Sequence, residues 1–251
     1  MGQKKIGLCL SGGGARGFAH LGVLQAFDEL NIPISMISGS SAGGLAAALY
    51  AEGHKPYYIQ EFILRKSLWR YLRLSPSRMG LMNLRNTEKV LRELLPHDSF
   101  EGLKIPISVC ATNMSKGEPN YFSEGELIHP LLASVAIPVA FKPVIINGDQ
   151  YFDGGLSNNL PLEPLESTDF KIAINVTPFI KRLPVRSFKD VVLKSVYISV
   201  DNQTRQKSLA ADLTIEPEGI MKFDGFKLKN AEKMFETGYN SALKALKTLP
   251  F

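Results

Sequence analysis

The amino-acid sequence predicts an α/β fold, a three-layer α/β/α sandwich around a largely parallel central sheet. Three observations point there. Ile6 to Leu10 is a continuous apolar run ended by glycines, the pattern of a strand buried on both faces. Helix-like and strand-like stretches then alternate, as parallel pairing through crossover helices requires. Glycine-rich segments, Ser11 to Gly17 and Gly39 to Gly43, sit at two of the strand-to-helix junctions.

The elements follow in order. Phe18 to Leu30 carries apolar residues at Phe18, Leu21, Val23, Leu24 and Phe27, a helical spacing broken by Asn31-Ile32-Pro33. Ile34 to Ile37 reads as a second strand and Ala42 to Ala51 as an alanine-rich helix. The region 54–100 is helical but irregular, with Pro56, Pro76 and Pro96 as breaks. Ile105 to Ala111 and Tyr121-Phe122 are strand-like, and Leu127 to Val135 forms a helix stopped before Pro138. Val144 to Ile146 and Gln150 to Phe152 flank Asn147-Gly148-Asp149, a strong hairpin signal that puts Asp153 at the end of a hairpin strand. Lys171 to Val176 is a core strand, and helices near 187–207 and 229–248 flank a short strand at Asp212 to Ile215. No repeat or linker interrupts the chain, so residues 1–251 are expected to form a single domain.

A chain of 251 residues that is 45% hydrophobic can bury a sizeable core. No run of eighteen apolar residues predicts a spanning helix, and the N-terminal apolar run is too short for a signal-peptide core. Cys9 and Cys110 lack metal-ligand spacing, so a reduced cytoplasmic protein is expected. The net charge of +5 is uneven: Arg65, Lys66, Arg70, Arg73, Arg78 and Arg85 lie in a window, 65–85, that holds no acidic residue. Trp69, Tyr71 and several leucines share it. The simpler account is an amphipathic helix with a solvated basic face. The alternative is peripheral contact with a membrane surface. No recognition motif accompanies the patch, so nucleic acid is not an expected partner.

Gly12, Gly14 and Gly17 satisfy G-x-G-x-x-G between a strand and a helix, the context of a dinucleotide site. Such a site also wants a carboxylate at the end of the second strand, where Ser38-Gly39-Ser40-Ser41 stands. No Lys-Ser or Lys-Thr follows the glycines, which removes the phosphate-loop alternative. A nucleotide-binding oxidoreductase is thus the minor reading. The same loop suits an anion cradle, with backbone N–H groups aimed one way at a helix N-terminus. A donor of that kind stabilises an ester-derived oxyanion by about 2.7–4 kcal/mol. Tight strand–helix packing is the purely structural account of the glycines. Arg16 can clamp a lipid phosphate or brace the loop, and bracing is the favoured role.

Gly39-Ser40-Ser41-Ala42-Gly43 is a G-x-S-x-G elbow, the strand–turn–helix device that exposes a nucleophilic serine. Ser41, rather than Ser40, has glycines at both −2 and +2. A triad in the order Ser, acid, His needs a histidine after the acid, yet His20, His54, His97 and His129 all precede Asp153. An aspartate has a pKa of about 3.9 in water, and burial would raise it toward a useful base. Asp153-Gly154-Gly155 alternatively caps its own hairpin. The histidines read as packed or surface residues, and their spacing supports no metal site.

Together, Gly12-Gly13-Gly14-Ala15-Arg16-Gly17, Gly39-Ser40-Ser41-Ala42-Gly43 and Asp153-Gly154-Gly155 resemble the patatin-like phospholipases. So do Ala133-Ser134-Val135-Ala136-Ile137-Pro138 and Asn158-Asn159-Leu160-Pro161; the resemblance covers roughly residues 5–176. It implies a serine acylhydrolase that cleaves acyl esters of lipids without a metal or other cofactor. Ser41 would be the nucleophile and Asp153 the general base. Gly12, Gly13 and Gly14 would form the oxyanion hole, supported by Arg16, Gly39, Gly43, Gly154 and Gly155. A membrane-surface regulator that keeps the fold without turnover is the non-enzymatic alternative, and the intact Ser41 and Asp153 argue against it.

Overall fold

A computed structural model describes residues 4–65, 84–138, 140–178, 185, 188–225 and 227–247. Its strands are β1 (Ile6–Leu10), β2 (Met36–Ser40), β3 (Ile107–Asn113), β4 (Glu118–Phe122), β5 (Val144–Ile146), β6 (Asp149–Asp153), β7 (Phe170–Ile174) and β8 (Leu213–Ile215). Its helices are α1 (Phe18–Glu29), α2 (Ala42–Glu52), α3 (Pro56–Arg65), α4 (Arg85–Leu94), α5 (Ile128–Ser134), α6 (Phe188–Ala210) and α7 (Ala231–Leu246). Apart from its ends at Arg65, Leu84 and Arg85, the basic window 65–85 lies outside the described residues.

One sheet runs in the order β5-β6-β3-β2-β1-β7-β8, with β4 also paired to β3. Strands β3, β2, β1, β7 and β8 are mutually parallel, whereas β4, β5 and β6 pair antiparallel. The mostly parallel sheet expected from the alternation is therefore present, with an antiparallel margin built by two hairpins. Asn147 and Gly148 turn the second hairpin with φ of 51° and 87°. Positive φ at both central positions matches the right-handed twist of the flanking strands.

Alternating side chains serve opposite faces of the sheet. Ile6, Leu8, Leu10, Ile172 and Ile174 join the large core beneath α1, α2 and α7. Cys9 and Ala173 point the other way, onto Leu160, Leu162 and Leu165. The ion pair of Lys207 with Glu163 holds α6 over that second face. Helices thus cover both faces, giving the three layers.

Two local expectations shift. Strand β2 begins at Met36 and runs on through Ser40, because its register is set by β1 and β3 (Gly7 opposite Met36, Ser40 opposite Cys110). Its polar residues lie in the strand itself, where Ser38 is buried and donates its hydroxyl to the Pro161 carbonyl at 2.6 Å. Pro56 opens α3 rather than breaking a helix, since a first-turn N–H needs no helical acceptor.

Helices α1 and α7 cross with almost no space between their backbones. A Cβ on Gly22 would lie 2.0 Å from the Phe235 carbonyl oxygen, and one on Gly238 would lie 2.0 Å from the Ala19 oxygen. Alanine at a helix interior position ordinarily gains about 1 kcal/mol over glycine. Here forced separation of the helices reverses the sign, because overpacking costs about 1–3 kcal/mol. Gly238→Ala is expected to lower the urea midpoint of unfolding. An unchanged or higher midpoint would show that the helices can part freely.

Candidate active site

Strand β2 enters α2 through Ser41, the N-cap residue, at φ 52° and ψ −121°. A side chain rarely tolerates that backbone, so the surrounding packing must impose it. The turn closes tightly enough to exclude a Cβ on either flank. One on Gly39 would meet the Gly43 carbonyl carbon at 2.6 Å; one on Gly43 would meet the Leu10 carbonyl oxygen at 2.2 Å. That is the physical content of G-x-S-x-G. Ser40 is fully buried and its hydroxyl has no partner among the described residues. Ser41 Oγ instead donates to Asp153 Oδ2 at 2.7 Å.

The meeting of two residues 112 positions apart follows from register. Strand β4 occupies one edge of β3 from Val109 to Asn113. On the other edge β2 pairs up to Ser40 opposite Cys110, and β6 takes over at Asp153 opposite Ala111. The C-terminal ends of β2 and β6 therefore abut, with Ser41 leaving one and Asp153 ending the other. Gly154 permits the abutment, since a Cβ there would lie 2.2 Å from the Cys110 oxygen.

The segment at the end of α5 grips both residues. Ser134 Oγ accepts the Ser41 N–H at 2.8 Å and donates to the Cys110 carbonyl at 2.6 Å. Two residues on, the Ala136 carbonyl accepts the Asp153 N–H at 2.9 Å. Periodicity alone offers no sign of these roles; the only signal in the sequence is the Ala133–Pro138 motif that carried the family resemblance.

Asp153 is 8% exposed, and its second oxygen accepts the Gly155 N–H at 2.8 Å. Burial raises its pKa to about 6, against the opposing hydrogen bonds from Ser41 and Gly155. Folding therefore disfavours the carboxylate. The folded state binds a proton more tightly than the unfolded chain, so this group's contribution to stability falls as pH rises from about 4 to about 6 and stays lost above. An uncharged amide escapes that cost, which is at most about 3 kcal/mol at 1.36 kcal/mol per unit. Asp153→Asn is thus expected to unfold at a higher temperature than the parent at pH 8, with the gap closing near pH 4. Equal or lower stability of the variant at pH 8 would contradict it.

The glycine loop follows β1 and faces the elbow: a Cβ on Gly12 would lie 3.3 Å from Ser41 Cβ. Gly12 departs from expectation as a donor, because its N–H is already bonded to the Asn159 carbonyl at 3.1 Å. The N–H groups of Gly13 and Gly14 meet no acceptor among the described residues. Gly14 sits at φ 57°, which starts the short 3₁₀ turn Gly14–Gly17 leading into α1. Arg16 Nε–H donates to the Phe223 carbonyl at 3.0 Å, tying the loop to the segment before α7.

Apolar side chains of α1 to α4, among them Leu21, Leu45, Ile59 and Leu91, line a cavity of about 120 Å³ that reaches Ser41 and Gly14. A larger cleft of about 700 Å³, lined by Asn175, Asp201, Arg205 and Glu216, contains neither Ser41 nor Asp153. Of the histidines, His54 bonds the Leu94 carbonyl, His129 pairs with Glu126, and His20 bonds the Ser11 carbonyl. Burial pushes the Cys9 thiol up to about 12 and raises Cys110 as well, so neither competes as a nucleophile.

Known proteins resemble this chain in sequence and in fold. An uncharacterized NTE family protein of Mycobacterium tuberculosis (strain ATCC 25618 / H37Rv) is 30% identical over 175 residues, covering 69% of this chain and 49% of that protein. A lysophospholipase nte1 of Neosartorya fischeri is 26% identical over 286 residues, covering 98% of this chain and 18% of that one. The chain thus spans about half the length of the first and under a fifth of the second. Among solved structures, VipD from Legionella pneumophila superposes with a TM-score of 0.55 at 17% identity, over 98% of this chain and 67% of that one, which is a likeness of fold. A family model for patatin-like phospholipase matches residues 8–166, and by that match the chain belongs to the patatin-like phospholipase family.

Proposed function

We propose that this protein is a serine acylhydrolase that cleaves acyl esters of lipids through a Ser41–Asp153 dyad. One observation carries the reading: the Ser41 hydroxyl donates to a buried carboxylate at 2.7 Å and also borders an apolar cavity. Family membership supports the same chemistry, as does the lysophospholipase name of one relative.

The steps follow from the geometry. Ser41 Oγ attacks the ester carbonyl carbon as its proton passes to Asp153 Oδ2. The new oxyanion is received by the N–H groups of Gly13 and Gly14 beside the N-terminus of α2. Collapse expels the alcohol, which takes the proton back from Asp153 and leaves an acyl group on Ser41. Asp153 then deprotonates a water that attacks the acyl-enzyme, and the returning proton restores the Ser41 hydroxyl. The acyl chain lies in the apolar cavity between α1 and α4. A dinucleotide in the glycine loop is disfavoured, because the end of β2 carries Ser38-Gly39-Ser40 where a ribose-binding carboxylate would stand.

Ser41→Ala and Asp153→Asn are each expected to reduce hydrolysis of a short p-nitrophenyl ester by at least about a thousandfold, since residues acting as one unit fail together. Chelation with EDTA should leave the rate unchanged. The base works only as a carboxylate, so kcat/KM should rise with pH and level off above about 6, on the Asp153 titration. Substantial turnover by either variant, or a rate lost on chelation, would remove the dyad. A parent protein that binds lipid vesicles without turnover would favour the regulator instead.

A further inference from the structure

His20 has no part in the chemistry above, yet it is fully buried in the first turn of α1. Its Nε2 lies 2.7 Å from the Ser11 carbonyl oxygen. A carbonyl only accepts, so Nε2 carries the hydrogen and the ring is the Nε2–H tautomer. Its Nδ1 is then a bare acceptor, buried with no partner among the described residues. A leucine or phenylalanine would fill this volume with no unsatisfied polar atom of its own, but it would take this donor away from the buried Ser11 carbonyl. The ring is explained by the one bond it makes.

That bond holds the first link of a chain of peptide planes. In a trans peptide the C=O and N–H point in opposite directions, so fixing one aims the other. The Ser11–Gly12 plane is held at both ends, its oxygen by His20 and its N–H by the Asn159 carbonyl. The Ser11 hydroxyl, which accepts the Val176 N–H, donates to the Gly12 oxygen at 3.0 Å. Pinning that oxygen aims the Gly13 N–H. The Gly13 oxygen accepts the Arg16 N–H at 3.2 Å, which aims the Gly14 N–H. We propose that His20 is a positioning residue of the oxyanion loop, orienting the Gly13 and Gly14 donors by holding the Ser11 carbonyl. The inference rests on reading those two N–H groups as the oxyanion hole.

The test compares His20→Phe, which keeps bulk and loses the donor, with His20→Gln, whose amide N–H reaches as Nε2–H does. His20→Phe should lower kcat for a p-nitrophenyl ester at least about tenfold with KM within about twofold, since losing a donor outright costs about 10²–10³. Fluorophosphonate labelling of Ser41 should slow in parallel, and His20→Gln should recover most of the lost kcat. Parent-like kcat in a folded His20→Phe variant would overturn the proposal, as would a Gln variant no better than Phe. The ¹⁵N spectrum of histidine-labelled parent protein tests the underlying Nε2–H bond even if both variants misfold. A protonated Nε2 and bare Nδ1 from pH 5 to 8 is expected, and the opposite tautomer would overturn the proposal. Ser41→Ala is assayed alongside: if it keeps turnover, the dyad reading fails first, whereas a dead Ser41→Ala beside a fully active His20→Phe sinks the His20 role alone.

Discussion

Strand β3 carries two partners end to end on one edge, and the candidate site depends on that junction. β2 pairs as far as Cys110 and β6 from Ala111 onward, so a parallel strand and an antiparallel hairpin strand meet at their C-terminal ends. Ser41 leaves the first and Asp153 closes the second, which brings a hydroxyl and a carboxylate to 2.7 Å without a histidine between them. The junction explains why the fold carries an antiparallel margin on an otherwise parallel sheet. A further parallel strand at this edge would run the other way and present its N-terminal end where Asp153 now stands.

The machinery around the junction is made almost wholly of backbone. Ser134 and Ala136 hold the N–H groups of Ser41 and Asp153, and Asn159 holds that of Gly12. Glycine recurs because backbones approach each other more closely than a Cβ permits, at Gly43 against Leu10 and at Gly154 against Cys110. The positive φ of Ser41 is stable only inside such a frame.

Burial sets the chemistry as well as the geometry. Asp153 in water would be too weak a base, and desolvation lifts it to about 6 at a cost in folding stability. The same exclusion of water strengthens the Gly13 and Gly14 donors. The apolar cavity beside Ser41 extends the main core, since Leu21, Leu49, Ile59 and Leu91 belong to both. Sheet, helices and this cavity therefore share one hydrophobic core.

Much of this was legible in the residues. Apolar runs and breaks located β1, α1, α2 and the hairpin around Asn147-Gly148, because local periodicity and turn chemistry are properties of neighbouring residues. Three motifs in order marked Ser41, the glycine loop and Asp153. The bounds of β2 differ from the expected Ile34 to Ile37, since Ser38 and Ser40 extend the strand through register with Ser108 and Cys110 on β3. Nothing local distinguishes Gly12 from the two glycines that follow it; a carbonyl 147 residues away takes its N–H. By itself the sequence determined the alternation of elements and singled out the residues that the proposed mechanism uses. Only the tertiary structure decided which loop N–H groups meet no acceptor among the described residues, which carboxyl oxygen meets the serine and which histidine reaches the Ser11 carbonyl, because hydrogen bonds across sheet register join atoms that no local pattern relates.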